Sequence, residues 1–228
     1  YERGKYAEAE PLFRRAVAIG EKALGPEHPD VAASLNNLAI LYCEQGHYSE
    51  AEPLFRRPLA ILEKRWGPEH PLVAESLNNL ATLYMKQGKY AEAEPLYERA
   101  LAIKEEARGP EQPSVARSLG NLASLYYEQG KYAEAEPLYR RALAIWEKRR
   151  GPEHPDVAAS LNGLGNLYCM QGKYAEAEPL YRRTLAIWEE ARGPEHPDVT
   201  WSLNNLAGLY YERGKYAEAE PLFRRAVA

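Results

Sequence analysis

The stretch Leu35–Phe55, LNNLAILYCEQGHYSEAEPLF, returns as Leu77–Tyr97, Leu119–Tyr139, Leu161–Tyr181 and Leu203–Phe223, each 42 residues on, with no insertion or deletion. A fixed period of roughly 20–50 residues marks a chain built by stacking one supersecondary unit that cannot bury its apolar face alone. That period overrides the one- or two-domain expectation that 228 residues would otherwise raise. The expected organisation is one elongated solenoid over 1–228, each repeat touching its neighbours. It divides into a partial repeat with helix B only (1–28), full helix A/B repeats at 29–70, 71–112, 113–154 and 155–196, and a helix A with a truncated helix B (197–228). Tyr1–Ala18 recurs letter for letter as Tyr211–Ala228, as a slice of a longer array would. Below, a register is the number a position takes in the 29–70 repeat.

Within one repeat, Gly25-Pro26-Glu27-His28-Pro29 stops one helix and starts the next. Gly25 is expected to supply a left-handed C-terminal cap. Pro29 has a fixed φ suited to the first helical position, which leaves His28 at the N-cap. The string recurs at 67–71, 151–155 and 193–197, and at 109–113 with Gln112 in place of His. Helix A is predicted from about Pro29 to Gln45, with Val31, Leu35, Leu38, Ala39 and Tyr42 on one apolar face. Gly46 ends it, and helix B follows from about Tyr48 to Trp66, with Ala51, Leu54, Phe55, Leu59 and Leu62 at helical spacing. Alanine at register 51 and small residues at register 39 let the two backbones approach, with Tyr42 and Phe55 filling the space beside the contact. Pro53 and its equivalents lie early in helix B, where one lost hydrogen bond is tolerable. Pro58 replaces an alanine in mid-helix, where proline costs about 3 kcal/mol, and a local bend is expected there.

Alanine, leucine, glutamate and arginine dominate, a helix-forming composition. A net charge of −4 gives no basic field for nucleic acid or an anionic membrane, and no apolar run is long enough to span a bilayer. The two cysteines, Cys43 and Cys169, share a register three repeats apart. With helices packed about 10 Å apart they lie far beyond the ~7 Å reach of a disulfide. Two free thiols suit a reducing compartment, so a cytoplasmic location is expected.

Asn37-Leu38-Ala39, Tyr42, Gly46-His47-Tyr48, Ala51, Phe55 and the alanines of register 58 resemble the tetratricopeptide signature. The 42-residue length, GPEHPDVA, LNNLAxLY and KYAEAEPLYRRALAI are most similar to the repeats of kinesin light chains and their relatives. The resemblance covers the whole chain. It implies an all-α fold, a right-handed superhelical solenoid of antiparallel helix pairs, whose A helices line a concave groove that holds partner peptides. It further implies that groove asparagines grip a peptide backbone: Asn37, Asn79, Asn121 and Asn205 in one ladder, Asn36, Asn78, Asn162 and Asn204 in the other. Gly163 and Gly120 interrupt the two ladders.

Comparison of the copies within the chain gives a separate indication. Register 33 reads Ala33, Glu75, Arg117, Ala159, Trp201; register 40 reads Ile40, Thr82, Ser124, Asn166, Gly208. Register 43 reads Cys43, Met85, Tyr127, Cys169, Tyr211, and register 44 reads Glu44, Lys86, Glu128, Met170, Glu212. With registers 30 and 37, registers 33, 40 and 44 form one helical stripe opposite the apolar face, flanked by register 43. A solvated face drifting freely would vary in the same place. Tyr, Trp and Met on it are instead types enriched at binding surfaces. The candidate site is therefore Asn36, Asn37, Asn78, Asn79, Thr82, Met85, Arg117, Asn121, Ser124, Tyr127, Asn162, Asn166, Met170, Trp201, Asn204 and Asn205. A second variable zone, at the end of helix B (Gly20, Leu62, Lys104, Trp146, Trp188, then Leu24, Trp66, Arg108, Arg150, Arg192), reads as inter-repeat or convex packing.

No catalytic constellation is visible. The histidines His28, His70, His154 and His196 stand whole repeats apart and make no zinc ligand set. The AEAEP carboxylates sit in the first turn of helix B, where they favour the helix dipole. No cofactor, metal or enzymatic activity is expected. The leading expectation is a scaffold that binds an extended peptide or partner helix along the helix-A groove. The alternative is a structural, self-stacking array without a dedicated ligand, associating head to tail through uncapped ends.

Overall fold

The computed structural model describes residues 6–227, among which eleven α-helices follow one another. They are α1 (Tyr6–Leu24), α2 (Pro29–Glu44), α3 (Tyr48–Trp66), α4 (Pro71–Lys86), α5 (Tyr90–Arg108), α6 (Pro113–Glu128), α7 (Tyr132–Arg150), α8 (Pro155–Met170), α9 (Tyr174–Arg192), α10 (Pro197–Glu212) and α11 (Tyr216–Val227). The even-numbered ones are the A helices and the odd-numbered ones the B helices. The first five residues of the partial repeat, and the final Ala228, lie outside the described residues. The chain clusters into two units, Tyr1–Pro110 and Glu111–Ala228.

Each A helix begins on the expected proline. The N-cap imidazole of His28, His70, His154 and His196 accepts a backbone N–H two residues on, at 3.2 Å in each case. This satisfies one of the orphan donors at a helix start. Gln112 takes the same extended backbone conformation but makes no side-chain cap bond. The expected glycine stands at the C-cap of each full B helix with positive φ, but its ψ is not that of a left-handed helix. Gly67 has φ 85° and ψ 164°, an extended rather than left-handed helical conformation that only glycine adopts readily. The Schellman cap lies at the other turn. Gly46, at φ 78°, donates to Cys43 O, and His47 N–H reaches back to Tyr42 O at 2.8 Å. A left-handed cap needs the next residue to turn straight back into an antiparallel helix, which is what the short A-to-B connection does.

In unit 1, α2/α3 and α4/α5 are antiparallel hairpins, and each B helix packs also on the next A helix within the unit. Val31, Val73 and Leu77 are fully buried at the centre of a cluster closed by Val17, Ile61 and Ile103. Unit 2 repeats the scheme with α6/α7, α8/α9 and α10/α11, and its core joins Tyr139, Leu167, Tyr181, Leu206 and Leu209. Burying each such side chain is worth about 1.5–3 kcal/mol. The alanines of register 51 in the full repeats are buried (Ala51, Ala93, Ala135 and Ala177 at 0%), as the close backbone approach requires. α3 continues unbroken past Pro53 and Pro58, and the Pro58 ring is buried at the helix interface.

Two polar staples tie consecutive repeats. Tyr84 OH on α4 donates to Glu52 Oε1 (3.0 Å) and accepts from Arg56 Nη2 (2.5 Å) on α3, with Lys89 over the ring at 5.6 Å. The same clamp joins Tyr42 to Glu10 and Arg14, Tyr168 to Glu136 and Arg140, and Tyr210 to Glu178 and Arg182. Farther along the B helices, Arg57, Arg99 and Arg183 donate to the carbonyls of Pro26, Pro68 and Pro152 at 2.8–2.9 Å. The same arginines form ion pairs with Glu21, Glu63 and Glu147 of the preceding B helix.

Candidate peptide-binding face

With their apolar faces and staples committed to the core, the A helices leave registers 33, 37, 40 and 44 on one face at least partly open. Trp201 and Met170 are 70% and 59% exposed; Arg117, Asn37 and Asn204 are also exposed. Asn36, Asn79, Thr82, Met85, Asn121, Ser124, Tyr127, Asn162, Asn166 and Asn205 are half-buried. Asn78 is buried, and its Nδ2 donates to Ala74 O in its own helix at 3.0 Å, so it meets a ligand least readily of the set.

The asparagines do not stand as two separate ladders. Asn79 Nδ2 donates to Asn36 Oδ1 at 2.8 Å, and Asn205 Nδ2 to Asn162 Oδ1 at 2.7 Å. Register 37 of one A helix is thus joined to register 36 of the A helix before it. Among the described residues, the first amide NH₂ and the second carbonyl of each pair take no part in this bond. At the α6–α8 step the two corresponding positions are Gly120 and Gly163, so both members of that pair are missing together.

Register 40 varies for a reason internal to the hairpin. Thr82 Oγ1 shares a hydrogen bond with Tyr97 OH (2.8 Å) and Ser124 Oγ with Tyr139 OH (2.9 Å), while Tyr181 OH donates to Asn166 Oδ1 (2.6 Å). Where register 55 is phenylalanine, at Phe55 and Phe223, register 40 is Ile40 or Gly208 and offers no polar partner. A buried phenol needs a partner and a buried phenyl does not. Burial pushes the Tyr97 phenol up to about 12, against the opposing Thr82 hydrogen bond, and also raises Tyr139 and Tyr181. Two glycines lie against these tyrosines. A Cβ on Gly163 would stand 2.5 Å from the Tyr139 ring, and one on Gly165 would stand 2.6 Å from the Tyr181 ring.

The end of helix B packs between helices, as expected, with Leu62, Lys104 and Trp146 buried, and it also borders clefts beside the A helices. In unit 1, Leu62 and Trp66 of α3 line a 280 Å³ cleft with Asp30 and Asn36 of α2 and Leu72, Glu75 and Asn79 of α4. Two repeats on, Trp146 and Arg150 of α7 line a 360 Å³ cleft with Arg117 and Gly120 of α6 and Asp156 of α8. The clefts share a register and differ in chemistry: apolar walls and two carboxylates in the first, two arginines and one carboxylate in the second. Leu62, Trp66, Trp146 and Arg150 line these clefts but are absent from the candidate set above, although copy-to-copy variation at registers 62 and 66 already singled them out.

The face has little means for chemistry. Among the described residues no group of three His, Cys, Asp or Glu side chains could hold a metal ion, and no helix is long and apolar enough to cross a membrane. Cys43 is buried and Cys169 half-buried, both as free thiols. Burial raises both, away from the thiolate character of a reactive cysteine.

Known proteins place this arrangement in a family. The tetratricopeptide repeat matches residues 1–64, 72–148, 114–190 and 156–228, and the chain belongs to that family. Among solved structures, BtubC (BKLC) from P. vanneervenii is similar at 28% identity and a TM-score of 0.80, covering 97% of this chain and 88% of that one. A Podosopora anserina putative kinesin light chain with nearly identical TPR-like repeats is 33% identical over 87% of this chain and 94% of its own. Its TM-score is 0.73, and that of a single-substitution variant is 0.75. A search of curated proteins found no match. The fold is therefore that of tetratricopeptide repeats of the kinesin-light-chain type, which commonly serve as protein-interaction scaffolds.

Proposed function

We propose that this chain binds an extended peptide or a partner helix along its helix-A face, with the asparagine pairs as its backbone-reading element. The observation that carries this is the pairing itself. In Asn36–Asn79 and Asn162–Asn205 each amide orients its neighbour, and each pair offers one donor and one acceptor to the open face. A peptide unit needs one acceptor and one donor, and orienting the amides beforehand lowers the entropy lost on binding. Exposed Trp201 and Met170 add apolar anchors of the kind that dominate interface energies.

The test is capture from a random peptide library by the parent chain and by the Asn79→Ala/Asn205→Ala variant. Peptides held by the parent should lose about tenfold in affinity in the variant, as expected for a few net hydrogen bonds. Peptides that bind both proteins equally would overturn the assignment.

A further inference from the structure

We infer that the unit 1 cleft between α2 and α4 is a specificity pocket for a lysine or arginine side chain of the bound peptide. The inference deepens the peptide-face reading and rests on it. The walls are Leu62, Leu72 and Trp66, with Leu72 and Trp66 45% and 40% exposed and the indole held by stacking on His70 at a centroid distance of 4.9 Å. Such walls suit the long apolar stem of a basic side chain, and an indole face attracts its cation.

The charge at the cleft is negative. Asp30 stands on it with its side chain 78% exposed. His28 Nδ1 accepts the Asp30 backbone N–H at 3.2 Å and lies 3.6 Å from the Asp30 carboxylate. The second carboxylate, Glu75, holds buried Lys104 at 3.1 Å and remains half-exposed. Lys104 offsets the Glu75 charge, which leaves the Asp30 carboxylate as the unpaired acid of the cleft lining; Lys64 and Arg65 of α3 line the adjoining pocket beside Asp30 and Trp66, with Lys64 paired to Glu27. The equivalent cleft in unit 2 exchanges these features for Arg117 and Arg150, neither joined to a carboxylate, beside Asp156. It repels the same ligand and serves as a control within the same molecule.

The experiment follows the four indole N–H resonances of the chain, assigned by single Trp→Phe variants, during titration with N-acetyl-arginine amide. Its neutral isostere, N-acetyl-citrulline amide, is titrated in parallel at fixed ionic strength. The Trp66 resonance should move with the arginine probe and much less with citrulline, while Trp146 in the unit 2 cleft stays in place. Asp30→Asn, a change at an exposed position, should weaken the response roughly two- to fivefold, as for a solvent-exposed ion pair. A Trp66 resonance that stays still, moves equally with citrulline, or responds in Asp30→Asn as in the parent overturns the inference. The probe needs no backbone contact with the asparagines. Library peptides that depend on the asparagines but carry no basic residue would keep the peptide face and sink the pocket.

Discussion

At Gly165 a tyrosine ring overrides helix propensity. Glycine in a helix interior normally costs about 1 kcal/mol relative to alanine. Here the Tyr181 ring lies where a Cβ would be, as Tyr139 does at Gly163. Gly120 and Gly208 have nothing within 4 Å of an added Cβ. We therefore expect opposite signs from one chemical change. Gly165→Ala and Gly163→Ala should lower stability by about 1–3 kcal/mol, the usual effect of overpacking, whereas Gly120→Ala and Gly208→Ala should raise it by roughly 0.8–1 kcal/mol. Thermal melts of the four variants check this, and a common sign would refute it. The helix boundaries and the apolar stripe were legible from periodicity alone, because side-chain burial follows the 3.6-residue turn. The reason for each glycine was not, because it depends on which rotamer a tyrosine takes across a helix contact. The register-40 pairs were in principle readable: Thr82, Ser124 and Asn166 accompany tyrosine at register 55, while Ile40 and Gly208 accompany phenylalanine.

At the scale of elements, repeats are held in step by the clamp on the helix-A tyrosine. Burial pushes the Glu52 carboxyl up, but the hydrogen bonds from Arg56 and Tyr84 and the charges of Arg56 and Lys89 outweigh it and leave it below its ordinary value of 4.5. Glu136 and Glu178 are lowered by the same balance. A carboxyl whose folded value is depressed contributes stability above its unfolded value, and that contribution is lost as pH falls through the folded one. The chain should therefore lose stability progressively below about pH 4.5. Glu52→Gln should be less stable than the parent at neutral pH and lose less on acidification, so that the two approach each other at low pH. Denaturant titrations at several pH values measure it; parallel curves would contradict the assignment. This clamp was not legible beyond Glu, Arg and Tyr at fixed registers, since the partners lie 28 and 32 residues apart. The caps were easier to see. His-Pro marks the helix start, and glycines of positive φ stand at both turns, though among the described residues the Schellman hydrogen bonds form only at the A-to-B turn.

For the whole molecule, the repeat keeps its packing positions constant and concentrates its variation on the helix-A face and the ends of the B helices. Part of that variation is internal bookkeeping between tyrosines and their partners; the rest, at registers 33, 44, 62 and 66, faces the clefts and open surface. The family was legible from the 42-residue period and its motifs. The site was legible as a face but not as a set of pockets, because each cleft combines two A helices with the B helix between them, and no linear spacing shows that. The most direct measurement uses two exposed alanines, Ala159 on α8 and Ala186 on α9. A benzophenone amino acid is placed at one or the other, and peptides captured from the library are irradiated on each protein. Cross-links should form from Ala159, on the helix-A face, and be absent from Ala186. Equal yields, or cross-links from Ala186 alone, would contradict a peptide site on the A helices.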